Sequence, residues 1–274
     1  MGTIQELRPV PVVLSGARGG PPVRTLRRDR WWRAPAATVG FLGAFVAYAT
    51  WAALQNRDYF VGAAAHRDLI SPFYSPCVAA SCVAGARGGL YLSWWAISPA
   101  ILVLAVPLGF RFTCYYYRKA YYRSFWASPP ACAVADGHRR YRGESGFPLV
   151  LQNLHHYFFL AGLVFNVILT IDAVMAFRLP GEGGIGVSLG TVVLSVNAAL
   201  LWLYSVSCHA CRHLCGGGVD QFSAHRIRHR LWRLVTPLNA RHMQLAWASL
   251  AFVALTDLYV RLVASGVFSD PKLF

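Results

Sequence analysis

Five stretches of roughly 20 predominantly apolar residues recur along the 274-residue chain, at about 34–54, 90–110, 149–177, 187–207 and 243–263. An α-helix rising about 1.5 Å per residue needs a segment of that length to cross bilayer hydrocarbon. Inside lipid its backbone N–H and C=O groups must be satisfied within the segment, which favours helices. The sequence therefore predicts an all-α integral membrane protein: an N-terminal arm, residues 1–33, followed by a five-transmembrane-helix bundle over 34–274. Composition agrees, because 56% of the residues are hydrophobic and 14% charged, with a mean hydropathy of +0.41, too apolar for an ordinary soluble domain. Internal repeats and low-complexity tracts are absent.

The net charge of +15 raises nucleic acid as a partner, but no reading motif accompanies it, and the basic residues lie between apolar stretches. They suit loops facing anionic lipid or a protein partner. An odd number of spans puts the termini on opposite sides. Segments on one side hold 20 Lys and Arg and those on the other hold 6. The positive-inside rule then places the arm and the 111–148 and 208–242 loops in the cytoplasm and the C-terminus outside, in a multi-pass plasma membrane protein. Residues 1–33 are polar, basic and rich in Pro and Gly, unlike a cleaved signal.

Arg111 to Trp126 reads RFTCYYYRKAYYRSFW, aromatic and basic side chains interleaved where the chain leaves the second span. Such a run serves as an interfacial anchor, with rings at headgroup depth and cations snorkelling. A docking surface or quinone entrance is the other reading.

Cysteine and histidine are unevenly divided in this topology. Cys114, Cys132, Cys208, Cys211 and Cys215 fall at the inner side, with every histidine except His66. Four helix ends bring such ligands to one depth: Cys114 after the second span, His155 in the third, Cys208 to His213 after the fourth, and His242 before the fifth. At about 100° per residue, His155 shares a face with Gly162, Asn166 and Thr170, and His242 with Ala246, Ser249 and Val253. Cys208 and His209 both fall on the polar, inward arc of the fourth helix, with Cys211 at its margin. Each residue alone has an ordinary explanation as core filling or a hydrogen-bonding group. Their convergence points to a metal or cluster site, since ionisable groups at membrane depth are expensive and functional by default. Mixed thiolate and imidazole suit zinc or an iron-sulfur centre, and two of each is also the Rieske [2Fe-2S] set. Two stacked haems are disfavoured, because the first two spans contain no histidine; a single haem b at the inner side stays open.

Cys77 and Cys82, in the exterior segment PFYSPCVAASC, are either a disulfide or two free thiols. Asp172 and Asp257 invite a proton-path reading, but Arg178 and Arg261 are near enough to favour local ion pairs.

The segments PFYSPC (Pro72 to Cys77), TCYYYRKAYYRSFW (Thr113 to Trp126), SCHACRH (Ser207 to His213) and NARHM (Asn239 to Met243) carry a resemblance. From about Thr25 to the C-terminus the chain resembles the membrane-anchor subunit of an actinobacterial-type succinate dehydrogenase/fumarate reductase. The resemblance implies a flavoprotein partner that oxidises succinate, an iron-sulfur partner that carries the electrons, and transfer through this anchor to membrane quinone. Better-known anchors of that superfamily hold b haems on transmembrane histidines, which the first two spans here lack. The Cys/His site then becomes the expected relay: a Rieske-type [2Fe-2S] cluster on Cys114, His155, Cys208 and His242, with His209 and Cys211 as substitutes. Tyr115, Tyr116 and Arg118 are the expected quinone-binding residues. Haem b in the same role, or a redox-silent zinc-stabilised membrane protein, are the alternatives.

Overall fold

A computed structural model describes residues 27, 29–62, 68–134, 145–147, 149–179 and 183–274. Most of the N-terminal arm, His66 and His138 lie outside the described residues. The helices are α1 (Arg33–Gln55), α2 (Pro99–Thr113), α3 (Tyr115–Phe125), α4 (His155–Met175), α5 (Leu189–Val206), α6 (His209–Gly216), α7 (Arg226–Ala240) and α8 (His242–Ala264). A 3-10 turn over Leu149–Leu154 leads into α4.

Four of these segments, Arg33–Gln55, Leu149–Met175, Leu189–Val206 and His242–Ala264, are long and apolar enough to cross a membrane. The second span differs from the sequence reading. It begins at Pro99 rather than near residue 90, because Arg87–Leu92 forms a strand, β4, paired in parallel with β3 (Cys77–Ala79). Hydropathy alone does not separate a strand from a helix; Ser98, held extended, and Pro99 at the first helical position set the start. With 15 residues, α2 spans only about 22 Å. It joins α3 at a 78° bend, so the aromatic and basic run turns sideways as a helix of its own.

The bend sits at Cys114, the single extended residue between the two helices. α4, α5 and α8 form the centre of the bundle, with α2 against α4 and α1 against α3 and α8. Close approach of α2 and α4 depends on Gly109, where an added Cβ would lie 2.2 Å from the Phe158 ring. Polar groups between α4 and α5 satisfy one another: Asn166 Nδ2 donates to Ser205 Oγ at 2.8 Å and Trp202 Nε1 to Thr170 Oγ1 at 2.9 Å. Val46, Leu160, Val164, Ile171, Val174 and Leu255 point outward, as lipid-facing positions should.

At the end of the bundle away from Cys114, residues 56–62 and 68–98 fold into a small dome. It contains the hairpin β1 (Phe60–Val61) and β2 (Leu69–Ile70), the β3–β4 pair and a Cys77–Cys82 disulfide. Tyr74 is fully buried, stacks on Tyr59 with centroids 4.1 Å apart, and donates to the Ala52 carbonyl of α1 at 2.7 Å. Arg261 pairs with Asp257 at 2.8 Å, as the sequence suggested, and both are buried. Asp172 does not pair with Arg178; the Ser75 hydroxyl of the dome donates to it instead. Past α8, Asp270 accepts from Gly190 N at 2.9 Å and Tyr259 Oη at 2.6 Å, so the C-terminal tail covers the start of α5.

Candidate metal centre

Four breaks in helical structure meet at one end of the bundle. Cys114 separates α2 from α3, and Cys208, extended in the same way, is the N-cap of α6 just past the end of α5. His155 and His242 are the first residues of α4 and α8. Both cysteines thus sit at helix N-termini, where the positive end of the backbone dipole favours a thiolate.

The four candidate ligands are in contact. His155 Nε2 is 3.1 Å from Cys208 Sγ, and His242 Nε2 is 3.3 Å from Cys114 Sγ. Donor atoms of Cys114, Cys208 and His242 all lie within 4.8 Å of one another, and His155 joins through Cys208. The cysteines are 1% exposed and His242 9%, so water hardly reaches them. The Cys208 thiol is pushed up by its hydrogen bond to Cys114 and by burial.

The other imidazole nitrogens are also engaged. Thr113 Oγ1 lies 2.9 Å from His155 Nδ1, and Ser207 Oγ lies 2.8 Å from His242 Nδ1. An aromatic ring flanks each histidine: Phe110 stacks on His155 with centroids 5.4 Å apart, Tyr204 on His242 at 5.2 Å. Phe110-Arg-Phe-Thr113-Cys114 and Tyr204-Ser-Val-Ser207-Cys208 are therefore one five-residue pattern used twice, aromatic, two spacers, hydroxyl, cysteine. At five residues with only the cysteine identical, the pattern contradicts the expectation of no internal repeat without standing out in the sequence. The readable signal is the hydroxyl residue directly before each cysteine.

Arg111, also missed by the sequence reading, is a buried cation behind the site. Its guanidinium donates to Tyr117 Oη at 2.7 Å, Ser249 Oγ at 3.1 Å and the Ala246 carbonyl at 3.3 Å, and stands 4.5 Å from the Tyr204 ring centre. Among the described residues no carboxylate pairs with it, which leaves its charge available to offset thiolates nearby.

The remaining sequence candidates fall outside this contact. His209 is exposed, contrary to the inward position drawn for it, because the chain turns at Cys208 and α6 starts on a new axis. Cys211 is half-buried beside Cys215 and pushed up to about 11 by burial. Cys132 is exposed. Tyr115 is exposed with Arg118 over its ring, whereas Tyr116 takes a hydrogen bond from Trp247 and lies edge-on to His242, with centroids 6.5 Å apart. Tyr115, Tyr116, His209, Asn239 and Met243 surround the four ligands in a vestibule of about 430 Å³.

The donor set fits a metal centre in type, with two thiols and two imidazoles presenting Nε2. Zinc bonds of about 2.3 Å to sulfur and 2.0–2.1 Å to nitrogen place tetrahedral S and N about 3.5 Å apart. The observed separations of 3.1 and 3.3 Å are close to that. A Rieske centre carries its cysteines on one iron and its histidines on the other, so the two pairs must stand further apart. As they stand, each Nε2 is in contact with a cysteine sulfur, so the thiol and imidazole pairs would have to part into the adjoining vestibule to hold that cluster.

Comparison with known proteins agrees with this architecture. No curated protein shows a match. A chain of the Mycobacterium smegmatis Sdh1 complex in the apo form is 48% identical, with a TM-score of 0.86 over 96% of this chain and 98% of that one. Residues 33–266 match the family model for actinobacterial succinate dehydrogenase subunit SdhC. The match takes in all eight helices and all four candidate ligands, and this chain belongs to that family of succinate dehydrogenase membrane subunits.

Proposed function

We propose that this subunit relays electrons from succinate to membrane quinone through a Rieske-type [2Fe-2S] centre on Cys114, His155, Cys208 and His242. The observation that carries the reading is the meeting of two buried thiols and two imidazoles from four separate helix breaks. A flavoprotein partner oxidises succinate and an iron-sulfur partner brings the electrons to the basic, cytoplasmic face, where this site lies under the positive-inside assignment. Bound here, the cluster supplies one-electron transfer at a potential raised by imidazole ligation. The chain's own residues hold it: the cysteines at two helix N-termini, the histidines through Thr113 and Ser207, and Arg111 as the buried counter-charge.

Quinone approaches from the lipid. A cavity of about 830 Å³ opens between α1, α2 and α3, walled by Gly43, Leu108, Phe112 and Phe125 and reaching Arg111, Thr113 and Tyr117. Thr113 belongs both to that wall and to the hydrogen bond on His155, so a quinone there stands one side chain from the centre. Tyr115 and Tyr116 line the vestibule beside the four residues, with Arg118 over the Tyr115 ring.

Replacing His155 and His242 together with Ala should abolish quinone reduction and leave succinate oxidation by a soluble dye largely intact. It should also erase a reduced-state paramagnetic signal of low average g-value. Quinone reduction at the normal rate by the double variant, or haem with no such signal in the native complex, refutes the centre. The donor separations also support a second reading, a single tetrahedral zinc ion. Metal analysis of the complex separates the two: zinc in place of the extra iron makes the site structural.

A further inference from the structure

We infer that Thr113 and Ser207 are positioning residues that lock both histidines as Nδ1–H tautomers, so that the centre is ligated through the two Nε2 atoms. The inference rests on the Cys/His site binding a metal, but the tautomer itself is a property of this chain alone.

The argument follows from counting protons. A hydroxyl has one hydrogen to donate and two lone pairs with which to accept. Thr113 Oγ1 donates its hydrogen to the Gly109 carbonyl at 2.8 Å, one turn back in α2. Ser207 Oγ donates to the Tyr204 carbonyl at 2.9 Å, at the end of α5. The arrangement that satisfies carbonyl, hydroxyl and imidazole together has each hydroxyl meeting its imidazole with a lone pair, the hydrogen between Oγ and Nδ1 then coming from the ring. With Nδ1 protonated, the lone pair of a neutral imidazole is on Nε2. Both Nε2 atoms face sulfur, at 3.1 and 3.3 Å.

The braces are crossed. Thr113 precedes Cys114 but holds His155, which faces Cys208; Ser207 precedes Cys208 but holds His242, which faces Cys114. Each brace thereby ties one cysteine-bearing helix end to the histidine opposite the other cysteine. An accepting oxygen on the distal N–H also raises the basicity of the ligating nitrogen, which lowers the reduction potential of the metal it holds.

Selective isotope labelling tests the assignment. The whole complex is prepared with histidine carrying 15N at either Nε2 or Nδ1, and hyperfine spectra of the reduced centre are recorded. Strong coupling from the Nε2 label with only weak coupling from the Nδ1 label is the expected result; the reverse overturns the proposal. In Thr113→Val and Ser207→Ala complexes the midpoint potential should rise and the affinity for metal should fall about 10–100-fold. Thr113→Ser should restore both. An unchanged potential and metal content in Thr113→Val would also overturn it. Failure of the redox reading is distinct from this: if the complex has no paramagnetic centre, 15N NMR of the same labels in the metal-free complex still reads the tautomer, and Nε2–H on either histidine refutes the brace.

Discussion

Thr113 and Ser207 hold equivalent places in the two halves of the centre: each is the last hydroxyl before a cysteine that interrupts the helix, and each caps Nδ1 of a histidine on another helix. The equivalence extends three residues back, to Phe110 and Tyr204 stacked on those histidines. It ends there. Phe110 is a plain apolar wall, whereas Tyr204 Oη is buried with no hydrogen-bond partner among the described residues and its ring lies under Arg111. One imidazole is therefore stacked on an apolar ring and the other on a ring that also meets a cation.

The proposed quinone route can be closed without touching the Cys/His site. A Cβ added at Gly43 meets nothing within 4 Å, and the residue lines the cavity between α1, α2 and α3. Gly43→Leu should fill the mouth of that cavity and raise the apparent KM for quinone at least about tenfold, with dye-linked succinate oxidation unchanged. Gly40, equally open but not part of the lining, provides the control, because Gly40→Leu adds the same bulk to the same helix. Equal quinone kinetics in the two variants would place the quinone elsewhere.

Much of this arrangement was readable before any coordinates. Helix-length apolar runs show bilayer spans because lipid leaves the backbone few alternatives, and polar residues such as Asn166 and Ser249 mark inward faces through their 3.6-residue period. Cys114, His155, Cys208 and His242 stood out because each lies at a span's end. His209 was misplaced because a single helical phase was continued through Cys208, where the backbone becomes extended and restarts. The late start of α2 was hidden because Gly88 to Leu92 is as apolar as a helix of that length, and strand pairing with Cys77–Ala79 is a long-range property. Arg111 was read as an interfacial cation since its partners, Ala246 and Ser249, are more than 130 residues away, with sequence separations of 135 and 138.

The Cys77–Cys82 disulfide closes a short loop, with a sequence separation of 5. Loop-closure entropy for so small a ring gives a stabilisation of about 2 kcal/mol. Cys77→Ser with Cys82→Ser should lower the melting temperature of the purified complex and leave its paramagnetic signal unchanged. Loss of the signal in that variant would show that the dome supports the centre from the far end of the bundle.

Topology is the premise on which electron entry rests. The division of 20 basic residues against 6 predicts that the Cys/His end faces the cytoplasm. A reporter fused after Arg228, in α7, should be active only as a cytoplasmic enzyme, and one fused after Gly183, between α4 and α5, only as an exported one. The opposite pattern would put the thiols on the side away from the succinate chemistry and defeat the relay.

Asp257 and Arg261 make the sharpest stability prediction. Both are buried in α8, and the carboxylate also accepts from Tyr48 Oη of α1 at 2.6 Å and from Ser71 of the dome. Arg261 donates in addition to the carbonyls of Ala52 and Arg57, each at 2.9 Å, where α1 runs out into the dome. One ion pair thus fastens three parts of the chain at the end opposite the centre. Removing a single partner strands a charge in a low-dielectric setting and costs about 3–5 kcal/mol, whereas replacing both with apolar side chains of similar volume removes the desolvation penalty along with the attraction. Asp257→Leu should therefore destabilise the complex strongly, and Asp257→Leu with Arg261→Met should recover a large part of the loss. A double-mutant cycle on melting temperatures, including Arg261→Met alone, measures the coupling. If the two single losses simply add in the double variant, the pair is not the fastening and the dome is held by its apolar contacts with Tyr59, Phe73 and Tyr74.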